Sequence, residues 1–260
     1  VAFHASSFAR GKDNGGYLIH APLHGTKRLR FEEPSATARC MTDFRFDGVG
    51  FDLDGTLLDT LEDIAVSANS VLRSLDYEGH SVAAFRSFIG SGVDVLFERA
   101  LPPAAAADRR LIDLAVERFR VVYADGWHIN SRPYAGIAAL LDKLCERDVA
   151  LAVLTNKPHE FAVQCVAHLL GDWHFEIVLG HDAALPAKPD PQGALRIAAT
   201  LGIEPATIRF VGDSGIDMET ARAAGMQGVG VTWGFRPESE LRRSGATWLI
   251  DRPEQLLELL

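Results

Sequence analysis

Cysteine is scarce in this 260-residue chain: Cys40, Cys145 and Cys165 are the full set. Their number is odd and none has CxxC or Cys/His ligand spacing, which leaves no basis for a disulfide framework or a thiolate metal site. A reducing cytoplasm is the expected compartment. Cys145 and Cys165 both fall in helix-like apolar patterns and are expected to be buried packing residues. Also missing is any apolar stretch approaching the roughly 18 to 20 residues that cross a bilayer, so a soluble protein with no membrane partner is expected. Positive charge is short too, with 26 Lys and Arg against 35 Asp and Glu and a net charge of -9. A general polyanion binder needs clustered cations, so nucleic acid is excluded as a partner, while one local pocket can still take a small anion. What is present in quantity is core-forming material, 47% hydrophobic against 23% charged residues. That suits one large domain, or a core carrying a smaller inserted module.

Residues 1–40 differ from the rest. They hold Gly11, Gly15, Gly16 and Gly25, scattered His, no sustained periodicity, and six Lys or Arg against three acids. A targeting peptide is one reading, but there is no apolar h-region, and Asp13, Glu32 and Glu33 interrupt any basic amphipathic pattern. The first Met is Met41, eleven residues before Asp52, so an artificially extended start is the preferred explanation. Residues 1–45 are expected to form a poorly ordered extension.

From Val49 the chain becomes regular. A short, largely apolar run at 49–53 closes on Asp54-Gly55, and similar runs recur at 150–154, 175–179, 208–211 and 228–231. Each reads as a buried strand. Between them Ile137, Leu140, Leu141 and Leu144 share one helical face, as do Ala194, Leu195, Ala198 and Leu201 before Gly202. Strands alternating with helices predict an α/β domain with a parallel sheet covered on both faces. The interval 61–131 is too long for one crossover and reads as several helices. The first is predicted to start at Thr60, whose hydroxyl would cap it while Asp63 completes a capping box. An all-helical module thus interrupts the core. The terminal run 254–260 is expected to be a surface helix covering the sheet edge.

Polar residues cluster where the strands end. Asp52 and Asp54, two residues apart at the end of a buried strand, can both point into the crevice outside a parallel sheet, although Asp54-Gly55 alone is also an ordinary turn. Thr155-Asn156-Lys157 follows the second strand, where a hydroxyl and an amide can donate to phosphoryl oxygens. Lys188-Pro189-Asp190-Pro191 opens the helix before the fourth strand. Alone, its Lys would read as a solvent-exposed residue beside a helix start. Gly212-Asp213-Ser214-Gly215-Ile216-Asp217 follows the fourth strand with two more carboxylates, for which helix capping is the other reading. All these groups can converge on one site. Carboxylates enough for one hard cation, which if Mg²⁺ retains waters, and one cationic side chain make a phosphoryl-transfer inventory.

The order DLDGTLLDT (52–60), LTNKP (154–158), KPDP (188–191) and GDSGIDMETARAAG (212–225) resembles the haloacid dehalogenase superfamily of aspartate-dependent phosphatases, and within it the phosphoglycolate phosphatase-like branch. The resemblance covers about residues 46–260. It implies a Rossmann-like core from 46–60 and 132–260, with a helical cap at 61–131. It further implies that Asp52 attacks phosphorus to form an aspartyl-phosphate, and that Asp54 protonates the leaving alcohol and then activates water. Thr155 and Lys188 would hold phosphoryl oxygens, with Gly55, Thr56 and Asn156 as further substrate-binding residues. Asp213 would join Asp52 and the backbone carbonyl of Asp54 around Mg²⁺, with Asp217 supporting or ligating. An acid at Asp54 favours phosphate ester cleavage over dehalogenation.

Within the insert, Gly90-Ser91-Gly92 precedes a helix and resembles the Gly-x-Gly loop that phosphoglycolate phosphatases turn toward substrate. Backbone N–H groups there can bind a carboxylate, and a plain interhelix turn is the alternative. Trp127-His128, Trp173-His174 and His181-Asp182 lack ligand spacing and are expected to be structural. The expected reaction is hydrolysis of a small phosphorylated metabolite, 2-phosphoglycolate first. A pyrophosphatase or sugar-phosphate phosphatase, and a non-catalytic phosphometabolite-binding protein, are the alternatives.

Overall fold

The strand that begins the regular part of the chain, β1 (Gly48–Phe51), lies in the middle of a six-stranded sheet. The computed structural model describes residues 47–182 and 184–260, which fall within one unit, Thr42–Leu260. The expectation for residues 1–45, and Cys40 with it, lie outside the described residues. The other strands of the sheet are β4 (Ala150–Pro158), β5 (Ile177–His181), β6 (Ile208–Gly212), β7 (Gln227–Val231) and β8 (Trp248–Ile250). All pair in parallel in the order β5-β4-β1-β6-β7-β8. From β1 the chain therefore winds outward in both directions, so the crevice beyond β1, β4 and β6 is a topological switch point.

Side chains alternate across this sheet with period two. Val49, Phe51, Leu151, Val153 and Val211 pack on one face with α6 (Ile137–Glu146) and α7 (His159–Leu169), in a core continuous with the inserted helices. Ala152, Leu154, Ile208 and Phe210 pack on the other, with α8 (Gln192–Leu201) and α9 (Gly215–Ala223). A short α10 (Glu238–Arg243) buries Leu241.

Five helices stand between β2 (Leu58–Asp59) and β3 (Arg132–Pro133): α1 (Leu61–Ser74), α2 (Val82–Phe88), α3 (Val93–Ala100), α4 (Pro103–Ala106) and α5 (Arg109–Gly126). β2 and β3 pair antiparallel, so the chain leaves for the insert and returns from it side by side. Beneath that pair Asp63 is buried and accepts from the N–H and side-chain amide of Asn130 and from the N–H and hydroxyl of Ser131.

Those bonds correct the cap predicted at Thr60. Thr60 does precede α1 but makes no side-chain cap, because its hydroxyl donates to Asp54 Oδ1 at 2.8 Å while Asp63 serves residues 130 and 131. The third predicted strand lies two residues later than expected, at β5. β4 continues four residues past Leu154, so Thr155, Asn156 and Lys157 stand on the strand itself. β2, β3 and β8 were not foreseen. The terminal run is a 3-10 helix, Pro253–Glu258, that buries Leu256 and packs chiefly on α6. Cys165 is buried as expected, whereas Cys145 is exposed, because the turn of about 100° per residue carries it past the buried face ending at Leu144. No helix among the described residues is long and apolar enough to cross a membrane.

Candidate active site

Asp52 follows β1 directly, its N–H donating to the Val211 carbonyl of β6, so the central strand fixes its backbone. Its Oδ1 accepts from Leu53 N–H at 2.7 Å and from Lys188 Nζ at 2.9 Å. Lys188 also donates to Asp217 Oδ1 at 2.6 Å. Asp217 unites the two readings of its motif: Oδ2 closes a capping box with Ser214 at the start of α9, and Oδ1 faces Lys188. Asp213 Oδ2 accepts the Phe235 N–H at 2.6 Å.

One carboxylate oxygen from each of Asp52, Asp213 and Asp217 lies within 4.8 Å of the others, and all three residues are buried. A single ammonium, Lys188, answers three acids. Burial raises Asp52 to about 6 even though Lys188 opposes it. Burial, then the charges of Asp217 and Asp52, hold Asp213 well above the ordinary aspartate range. On Lys188 burial acts downward, but Asp217 and Asp52 outweigh it and hold the ammonium charged. The cluster thus carries buried negative charge that a hard, oxygen-seeking divalent cation would offset, and its donor set fits Mg²⁺.

Asp54 is not part of that cluster. Its carboxylate turns to Thr60 and to Lys157, whose Nζ lies 2.9 Å from Oδ1 and 3.1 Å from Oδ2. Asp52, Asp54, Thr155, Asn156 and Lys157 line one cleft from the core side; Ile64, Ile89, Gly90, Gly92, Val93, Leu96, Phe119 and Tyr123 line it from the insert.

The remaining expected residues divide. Gly55 touches the acidic cluster: a Cβ there would meet Asp213 Oδ2 at 2.5 Å, and its φ of +85° is itself suited to glycine. Thr56 is fully buried and does not line the cleft; its carbonyl accepts from Trp233, and its hydroxyl has no partner among the described residues. The Asn156 amide is spent on backbone, donating to the Gly90 and Lys188 carbonyls and accepting from Lys188 N–H. Gly90 and Gly92 reach the cleft, at φ +114° and +95°. Ser91 does not; its hydroxyl accepts from Arg99. No described histidine lines the cleft.

Sequence reasoning allowed one cation and missed the second, Lys157. The sequence put 155–157 after the strand, and only the extension of β4 to Pro158 brings Lys157 to the cleft beside Thr155. Tyr123, which bonds Lys157, carried no signal beyond the periodicity of α5.

A parallel sheet with paired acids at its switch point, a lysine-bridged acidic cluster and a helical insert over the cleft define an α/β enzyme whose site is built on carboxylates. The family profile for haloacid dehalogenase-like hydrolases matches residues 49–231, and the chain belongs to that family. It is similar to the phosphoglycolate phosphatase of Haemophilus influenzae, 34% identical over 221 residues, spanning 83% of this chain and 99% of that protein. Phosphoglycolate phosphatase 1 of Pseudomonas aeruginosa is 32% identical over 212 residues, 80% of this chain and 78% of that one. Among solved structures, a predicted phosphoglycolate phosphatase from Haemophilus somnus superposes with a TM-score of 0.76 at 30% identity, covering 82% of this chain and 97% of its own.

Proposed function

We propose that this protein is a Mg²⁺-dependent phosphomonoester hydrolase that works through an aspartyl-phosphate on Asp52, with 2-phosphoglycolate as its first substrate. The observation that carries the reading is the pair of differently held acids at the end of β1. Asp52 Oδ1 is occupied by Lys188 and Leu53 N–H, and Oδ2 accepts no hydrogen bond among the described residues, so Oδ2 is the oxygen assigned to attack. Asp54 is held by Thr60 and Lys157 at the same cleft, where it would give a proton to the leaving alcohol and later take one from water. Thr155 and Lys188 would hold phosphoryl oxygens. Asp52, Asp213, Asp217 and the Asp54 carbonyl would hold Mg²⁺, which when bound neutralises charge on the transferring group.

The insert, residues 61–131, serves in this proposal as the cap. Its wall of the cleft is mostly apolar and offers few partners for the hydroxyls of a sugar, while the Gly90 to Gly92 backbone supplies polar groups for one small carboxylate. A cytoplasmic location belongs to the same proposal. The test is phosphate release over a panel containing phosphoglycolate, sugar phosphates and pyrophosphate, with Mg²⁺ or with chelator, for the wild type and Asp52→Asn. Mg²⁺-dependent release that favours phosphoglycolate and is abolished by Asp52→Asn is expected. Preference for pyrophosphate or a sugar phosphate would replace the substrate, wild-type-like rates in Asp52→Asn would end the covalent route, and binding without turnover would leave a phosphometabolite-binding protein.

A further inference from the structure

Lys157 joins the inserted helices to Asp54. It stands on β4 with its side chain almost fully buried, donating to Tyr123 Oη at 2.8 Å as well as to both Asp54 oxygens. An ammonium has three N–H donors. The two Asp54 oxygens lie too close together to take separate N–H groups and share one, and Tyr123 takes a second, so the ammonium is held between the acid and the hydroxyl. Tyr123 is itself fixed from two sides. Its ring stacks on Phe119 of α5 at 5.0 Å and meets Phe161 of α7 edge-on at 5.1 Å.

We infer that Tyr123, a residue of the insert, is a positioning residue for Asp54 and acts through Lys157. The inference rests on the phosphatase reading of the cleft. Thr60 restrains one oxygen of Asp54, and the second oxygen is held by Lys157 alone among the described residues. The aim of the proton-transfer group therefore depends on a hydroxyl supplied by α5.

The test separates proton transfer from binding. Tyr123→Phe keeps the ring and its packing and removes one oxygen. An alkyl phosphate such as phosphoglycolate needs a proton on its leaving oxygen, whereas p-nitrophenolate leaves without one. We expect kcat for phosphoglycolate to fall about tenfold with KM within about twofold. That is a modest part of the roughly 10²- to 10⁴-fold that a positioned acid or base contributes. With p-nitrophenyl phosphate the pre-steady-state burst should keep its rate while the later turnover, which needs Asp54 as base, slows. Lys157→Met should show the same pattern more strongly, and it decides the matter if Tyr123→Phe does not fold. Equal loss in burst and turnover together with a raised KM, or no change at all, overturns the inference while wild-type turnover leaves the phosphatase reading standing. A wild type that releases no phosphate from any ester overturns both.

Discussion

Asn156 and Lys188 are locked together through both ends of one amide: Oδ1 accepts the Lys188 N–H at 2.8 Å, and Nδ2 donates to the Lys188 carbonyl at 3.1 Å. The same Nδ2 reaches the Gly90 carbonyl at 3.1 Å. One strand residue thus fixes the loop that sets the Lys188 ammonium between Asp52 and Asp217, and touches the glycine loop of the insert besides. Asn156→Leu is expected to destabilise the fold by about 1–3 kcal/mol, since buried backbone groups lose their partners, and to lower kcat at least tenfold. Urea denaturation and steady-state kinetics measure the two effects. Unchanged kcat would mean that the Lys188 loop holds its own shape.

How much of this was readable beforehand follows from the reach of each interaction. β1, β6 and β7 appear within two residues of the apolar runs that foretold them, because strands buried on both faces write themselves as continuous hydrophobic sequence. Asp52, Thr155, Lys188, Asp213 and Asp217 were legible as motif residues beside strand ends. The partners of Thr60 and Asp63 were not. A local capping pattern competed with bonds from Asp63 to residues 67 and 68 positions away, and such long-range contacts leave no periodic trace. Lys157 was hidden because a lysine in a strand reads as exposed unless an acid and a tyrosine from elsewhere are known to meet it.

The thiols should separate by burial. Cys165 is buried, and desolvation pushes its thiol up to about 11 although Lys157 acts in the other direction. Thiolate is the reactive form, so at pH 8 a disulfide reagent should modify Cys145 at least a hundredfold faster than Cys165, and both at similar rates in denaturant. Peptide mass mapping reads each site. Fast native modification of Cys165 would show that α7 opens readily.

Asp63 bears on how the insert is attached. Its carboxylate accepts four donors from Asn130 and Ser131, directly beside the β2–β3 pair. Asp63→Ala leaves those buried donors unpaired and is expected to cost about 2–4 kcal/mol in urea denaturation, with Asp63→Asn recovering part of it. A loss below about 0.5 kcal/mol would mean that strand pairing alone holds the two connections.

Asp213 should trade stability against function. Burial and the charges of Asp217 and Asp52 raise its carboxyl well above the ordinary value of 3.8, so without a cation the ionised form is a cost borne by the folded state. A folded-state value above the unfolded one means stability that is full below the unfolded value and is lost as pH rises through the folded value. Asp213→Asn removes that charge, and the amide oxygen can still accept the Phe235 N–H. In chelator at pH 7 the variant is expected to melt about 2–4 °C or more above the wild type, the shift that about 1 kcal/mol produces in a domain of this size. The difference should shrink as pH falls toward 4, where the wild-type carboxyl is neutral as well. Added Mg²⁺ should reverse the order, because binding to the native state stabilises only a protein that can hold the ion. The variant should gain little from Mg²⁺ and lose nearly all turnover. Melting curves with Mg²⁺ and with chelator, at pH 7 and near pH 4, provide the check. A variant that melts below the wild type in chelator would show that Asp213 is held by more than it is repelled.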